Sequence, residues 1–387
     1  MKGIFLVLFI LFFNSSFAVE TCDYSTQDDA AYVEDDLLYD GSINSEPQSF
    51  EEEELWMINL SKHLVQMDDV NIKFLALSSL NMSFFERVDT DVDSELPVFN
   101  LEFKLSVLNE IIESPFTTVS TLLAASSMCI DHKDQCDVDR FNQKLFDLAP
   151  ENLNVYFNEL EQAVKDTDQE LIDIILEQMS GAKHSQHMIS FSDQFIAAID
   201  FYISENPIEI SSFGDSHLKS LEADVEMEVV LKQDAMISFL ANNYMYFPAL
   251  NTLMVACEQW QNEGENCQAI ANTLIDKSDA SLMIMIGHSL AVKMNELFGD
   301  TKSLANSQKQ KEEYNEYQSC LFKNHTLLDD SAYMLDENLL QMMIGSKNEL
   351  EGFEKTSIYI YNLLKESDIE GAINPKECGL RYVGVNE

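Results

Sequence analysis

Val164-Lys165-Asp166-Thr167-Asp168-Gln169-Glu170-Leu171 reads as a corner between two helices. Ahead of it, Leu153, Phe157, Leu160 and Val164 recur at helical spacing. Behind it, Leu171, Ile174, Ile175 and Met179 continue the period on a second helix. Thr167 and Asp168 carry oxygens able to accept the open N–H groups of that second helix. The corner recurs at Met67-Asp68-Asp69-Val70-Asn71-Ile72 and at Lys277-Ser278-Asp279-Ala280-Ser281-Leu282. In each, an Asp is followed by apolar residues three positions on (Ile72, Leu171, Leu282) and six positions on (Leu75, Ile174, Met285). Each corner therefore predicts two antiparallel helices joined by a short capped turn. Their uneven spacing predicts stacked helix pairs with weak repetition rather than a regular array.

Composition agrees with an all-α chain. Of 387 residues only 12 are Gly and 7 Pro, against 17 Met. A strand-rich enzyme of this size needs more glycine for its turns and its phosphate or nucleophile loops. The expected fold is thus an irregular, solenoid-like stack of antiparallel helix pairs, stapled by disulfides.

Residues 1–18 read as a signal peptide. Lys2 precedes an apolar run from Ile4 to Phe13, and Ser16-Phe17-Ala18 forms a small-x-small cleavage site. Residues 19–50 read as an acidic disordered arm, since no Lys or Arg occurs from Val19 to Ser61. Folding is expected from Leu55, with Trp56, Leu60 and Leu64 as the first stripe. A polar linker, Ser211 to Ser216 with Gly214, divides the rest into an N-terminal helical domain over 51–210 and a C-terminal one over 217–387. No later stretch is apolar for long enough to cross a bilayer. The expected location is periplasmic or secreted.

The chain carries 68 acidic against 23 basic residues, a formal charge of −45. Such a surface repels nucleic acid and anionic membrane, which both call for a basic patch. It suits cationic partners and keeps an exported protein dissolved.

Seven cysteines fit an oxidising compartment. One continuous helix would hold Cys257 and Cys267 about 15 Å apart, too far to bond. The polar segment Glu258 to Asn266, with Gly264, therefore predicts that the chain stops and returns there. Cys129 and Cys136 flank a polar loop in the same way, which leaves Cys320 to pair with Cys378 and Cys22 alone.

Asp147-Leu148-Ala149-Pro150-Glu151-Asn152 resembles the inter-repeat linker of tetratricopeptide-type repeats, and the helix pair that follows it to Met179 resembles one such repeat. Leu160 stands where that family keeps a small residue in its first helix, and Leu171 and Ile172 replace the alanine early in its second. The wider arrangement is similar to exported all-helical proteins of Gram-negative bacteria with loose repeats and paired cysteines. That likeness implies no particular activity.

Three constellations invite chemistry. Gly287-His288-Ser289-Leu290-Ala291, with Asp300 and His325 downstream, follows the chain order of an α/β-hydrolase triad. Its last glycine is Ala291, however, and no oxyanion loop or alternating strands accompany it, so Ser289 is expected buried and inert in a helix. Asp89, Asp91 and Asp93 alternate like a calcium loop, but Ser94 and Asn100 occupy the positions that need Gly and Glu. His132, His184 and His187 lack the further ligands of a zinc cage. The reading is a non-catalytic interaction or scaffold protein with a protein or peptide partner and no cofactor. A secreted serine hydrolase using Ser289 and an acidic divalent-ion-binding protein stand as rivals.

Overall fold

The computed structural model describes residues 48–80, 101–130, 132, 134–186, 191–207, helical positions 228, 231, 232, 235, 236, 238 and 239, then 250–259, 264–298, 301–327 and 336–378. The leader, most of the arm, Asp89 to Asp93, Ser211 to Ser216 and Cys22 lie outside these residues. Among the described residues the protein is helical, with no strand beyond two isolated parallel bridges. None of the described helices is long and apolar enough to cross a membrane.

Among the described residues the named helices are, up to residue 207, α1 (Gln48–Leu64), α2 (Val70–Leu80), α3 (Leu101–Glu113), α4 (Val119–Ile130), α5 (Val138–Leu148), α6 (Phe157–Lys165), α7 (Gln169–Ser180) and α8 (Asp193–Glu205). From residue 250 on they are α9 (Leu250–Gln259), α10 (Gly264–Lys277), α11 (Ser281–Leu297), α12 (Thr301–Lys323), α13 (Glu337–Ile344) and α14 (Glu349–Glu366). Neighbours in sequence pack together from α1 to α5 and again from α10 to α12. Between these runs, α6 lies on α9 and α7 lies on α10, so one helix pair stacks on the next. The first helix begins at Gln48, slightly inside the segment expected as an acidic arm.

One apolar core runs from Trp56 to Met294 and draws residues from both of the expected helical domains. The expected stripe of Trp56, Leu60 and Leu64 is buried in it, as is Phe191, Phe195, Ile199 and Tyr202. One face differs from expectation. On α7 the buried residues are Ile172, Ile175, Leu176 and Met179, while Ile174 is 46% exposed. The face is rotated by one position because α7 is wedged between α6 and α10, and the core lies toward both. On α3 the first turn is open and burial begins at Val107 and Leu108.

The corners use distinct chemistry. At the first, Asp69 Oδ1 accepts from the backbone N–H groups of Asn71 and Ile72 at 2.8 and 3.3 Å. At the second, Asp168 caps α7 by accepting from Leu171 N at 3.1 Å. Thr167 does not cap. It takes left-handed backbone (φ 54°) while its hydroxyl donates to the carbonyl of Asp166. Asp168 N then donates back to Ala163 O and Thr167 N to Val164 O, the paired bonds of a Schellman turn. The third corner corrects the expected cap: Ala280, not Asp279, is the N-cap of α11, and its side chain has nothing to offer.

Three disulfides close the pairs read from the sequence: Cys129–Cys136, Cys257–Cys267 and Cys320–Cys378. Helix α9 ends at Gln259 and α10 begins at Gly264, but the antiparallel pairing expected of them is not formed: α9 packs on α6 and α11 instead of along α10, and the cystine joins α9 and α10 near their adjacent ends. Elsewhere a lone cation closes a helix. Lys144 of α5 donates to the carbonyls of Ile111, Ile112 and Ser114 at 3.1, 2.7 and 2.6 Å, answering the open C-terminus of α3 before Pro115. Burial holds this ammonium below the usual lysine range, aided by nearby Arg140 and opposed by Glu113.

Candidate functional site

The most elaborate polar arrangement is a buried seam between the stacked helix pairs. The extended segment from Ala182 to Gln186 threads between the linker ahead of α6 and the third corner. Leu153 N donates to His184 O at 2.8 Å, Ser185 N to Lys277 O at 3.1 Å, and Asp279 N to Ser185 O at 3.1 Å. Side chains complete the seam. Asn152 receives Gln186 N and donates to Gln186 O, while the Ser185 hydroxyl donates to Asn154 Oδ1 at 2.9 Å. Asn152, Asn154 and Ser185 are all buried, and the Asn154 amide nitrogen keeps no hydrogen-bond partner.

The seam continues into the C-terminal helices. Glu349, the first residue of α14, sends a buried carboxylate to the start of α11 and accepts from Ser281 N at 2.6 Å. Its own N–H donates to Asp279 O at 2.9 Å. The cap that Ala280 cannot supply thus comes from another helix, and an anion sits at a helix N-terminus where the macrodipole favours it. Tyr314 of α12 donates its hydroxyl to Ser281 O at 3.1 Å, and its ring tilts against His288 with centroids 5.1 Å apart. Every group here serves to fasten helices. A nucleophile paired with a base, which acyl transfer requires, is not what the seam assembles.

Ser289 lies next to this region but on the helix interior. Its hydroxyl donates to Met285 O at 3.0 Å, a bond within α11, and the residue is half-buried rather than fully buried as expected. The glycine of the motif has a packing reason. A Cβ on Gly287 would stand 2.7 Å from Leu274 Cβ and 2.9 Å from both Ala271 O and Ile275 N. Gly287 is therefore where α10 and α11 approach backbone to backbone, a different role from permitting a nucleophile turn. His288, like Gly287, Leu290 and Ala291, is buried; burial, with help from Lys311, pushes its pKa down to about 4. His325 follows α12 with its ring against Phe322, and burial takes it to about 4 as well. Asp300 lies outside the described residues.

The histidines considered for zinc do not converge. His132 lies in the loop closed by Cys129–Cys136, where its Nε2 accepts from Lys104 Nζ at 3.1 Å. His184 belongs to the seam, and His187 lies outside the described residues. Among the described residues no group of three or more His, Cys, Asp or Glu side chains could hold a metal ion.

The surface offers a second kind of feature. Large apolar side chains stand open at Phe116 (83% exposed), Phe201 (58%) and Leu148 (51%), in addition to Ile174. Phe116 sits on a firmly held turn: Asn71 Nδ2 donates to its carbonyl and Thr118 N donates to Asn71 Oδ1. Phe201 stacks beside His63 on the α1–α8 contact.

Sequence reasoning missed Glu349 and Tyr314. Asn348-x-x-Glu351 signals the start of α14, and Asn348 does cap it by accepting from Glu351 N at 2.8 Å. Nothing local, however, points Glu349 at a corner 68 residues away. Comparison of the chain with protein families, with curated proteins and with solved structures finds no match.

Proposed function

We propose that this is an exported, non-catalytic interaction protein whose stacked helix pairs offer a face to a basic protein or peptide. The observation that carries the reading is the stacking of α6 on α9 and α7 on α10, with Ile174 left open on the outer side of α7. Stacked pairs of this kind give extended surfaces built from side chains of successive helices. The resemblance of residues 147–179 to a tetratricopeptide-type repeat supports the same use. A charge of −45 favours a cationic partner and disfavours nucleic acid. Export, to the periplasm or beyond the cell, is supported by the leader-like residues 1–18 and by three disulfides.

The test is capture from the exported fraction with wild-type protein and with Ile174→Glu, eluting with high salt. The reading expects a basic polypeptide that binds wild type, leaves with salt and is lost on the substituted face. Stoichiometric labelling of Ser289 by a fluorophosphonate would instead make the protein a hydrolase.

A further inference from the structure

The three disulfides differ in how far a solvent-borne thiol can reach them. Cys257 and Cys267 are both fully buried, and Cys129 is fully buried beside a half-buried Cys136. Cys320 and Cys378 are both half-buried. Thiol–disulfide exchange needs a thiolate to line up with one sulfur while the other leaves as a thiolate. Cys129–Cys136, open only at Cys136, would have to expel the buried Cys129 sulfur into the core, whereas Cys320–Cys378 has neither sulfur in that position.

The bond is also local in its consequences. It closes 58 residues of chain, against 7 and 10 for the others, yet it joins only α12 to the 3-10 turn Pro375–Cys378. Cys378 packs against the small cluster of Tyr317, Leu321 and Phe353, separate from the main core. Just ahead, Asn324 grips the same segment by donating to Ile373 O at 2.7 Å and accepting from Ile373 N at 2.9 Å.

We propose that Cys320–Cys378 is an exchange site for a dithiol reductant, opened while the two deeper disulfides stay closed. One thiolate of the dithiol attacks Sγ of Cys378, the Sγ–Sγ bond breaks, and Cys320 leaves as a thiolate that takes a proton from water. The second thiolate of the reductant then attacks the reductant's own sulfur in the mixed disulfide and releases Cys378 as a thiolate, which takes a proton from water. Two electrons pass to the protein, and the dithiol leaves as a cyclic disulfide. Opening frees Asn374 to Cys378 from α12 and uncovers the face of Tyr317, Leu321 and Phe353.

The experiment uses the full oxidised chain and dithiothreitol. Thiols are trapped by alkylation at successive times, peptides are mapped, and helical circular dichroism is followed in parallel. The proposal expects Cys320 and Cys378 to be alkylated at least about tenfold faster than the four other bonded cysteines, with the helical signal unchanged. The double variant Cys320→Ser, Cys378→Ser should keep that signal and exchange its amides near Ile373 as fast as the reduced protein. Alkylation of all six cysteines together, or of Cys129 and Cys136 first, would overturn the proposal. So would collapse of the helical signal in the double variant, because opening would then not be local.

Discussion

The body of the molecule from α1 to α11 and its C-terminal helices α12 to α14 are held by different means. In the body, one continuous apolar core reaches from Trp56 to Met294. Among the described residues the C-terminal helices own two small clusters, Tyr317 with Leu321 and Phe353, and Leu339 with Ile360 and Leu364. What they lack in core they make up in directed contacts. Glu349 and Tyr314 grip the start of α11, Ser357 donates to Leu321 O at 2.9 Å, and Cys320–Cys378 closes the end. Tyr317 and Glu354 form a further hydrogen bond between α12 and α14, and burial raises both groups above their usual ranges. Apolar burial is non-directional and spread over many residues. Polar fastening rests on a few atoms, each of which leaves a buried partner unanswered when removed. The body should therefore respond to shape, and the C-terminal helices to charge and hydrogen bonding.

The largest effect should come from Gly287→Ala, which adds a methyl where backbone of α10 already stands within 2.9 Å. Overpacking against backbone is expected to cost about 3 kcal/mol, read as a lower denaturant midpoint with α10 and α11 pushed apart. An unchanged midpoint would show that the contact of α10 and α11 is looser than described. Next comes Glu349→Ala, which leaves Ser281 N–H buried without its acceptor. A loss of about 1–3 kcal/mol is expected, concentrated in the C-terminal helices as seen by local amide exchange.

Acid supplies a slightly smaller effect. His288 has a folded pKa of about 4 against an ordinary value of 6.5, so the unfolded chain binds the proton more tightly. Its contribution is complete above pH 6.5 and is lost as pH falls toward 4. At pH 5.5 the loss is about 1.4 kcal/mol, measured as the difference in pH dependence between wild type and His288→Gln. Equal slopes in the two proteins would contradict the burial of a neutral imidazole. The smallest effect is a gain: Thr167→Gly relieves a left-handed β-branched residue and should stabilise by about 0.5–1 kcal/mol, seen as a raised melting temperature.

The same division marks what could be read in advance. Interactions that are local in sequence announced themselves: the caps Asp69 and Asp168, the stripe of Trp56, Leu60 and Leu64, and the pairing of Cys257 with Cys267. Each depends on residues a few positions apart, which is the range over which periodicity and turn chemistry act. The outward turn of Ile174 was hidden because a helix with apolar residues at 171, 172, 174, 175 and 176 leaves its inner face to its neighbours. The Glu349 cap was hidden more deeply, since a carboxylate on one helix carries no mark of the helix end it will meet. Gly287 was read correctly as part of a helix, but its packing role was hidden for a related reason. Glycine permits both a tight turn and a close helix approach, and only the position of Leu274, Ala271 and Ile275 tells them apart.

Amide hydrogen exchange on the oxidised full chain tests the contrast most directly. If one shared core holds the body and polar fastening holds the rest, amides in α6, α7, α10 and α11 should exchange together through one rare opening. Those in α13 and α14 should exchange faster, through a separate opening that Glu349→Ala and reductant both accelerate. Equal protection in α7 and α14, unmoved by either change, would contradict it.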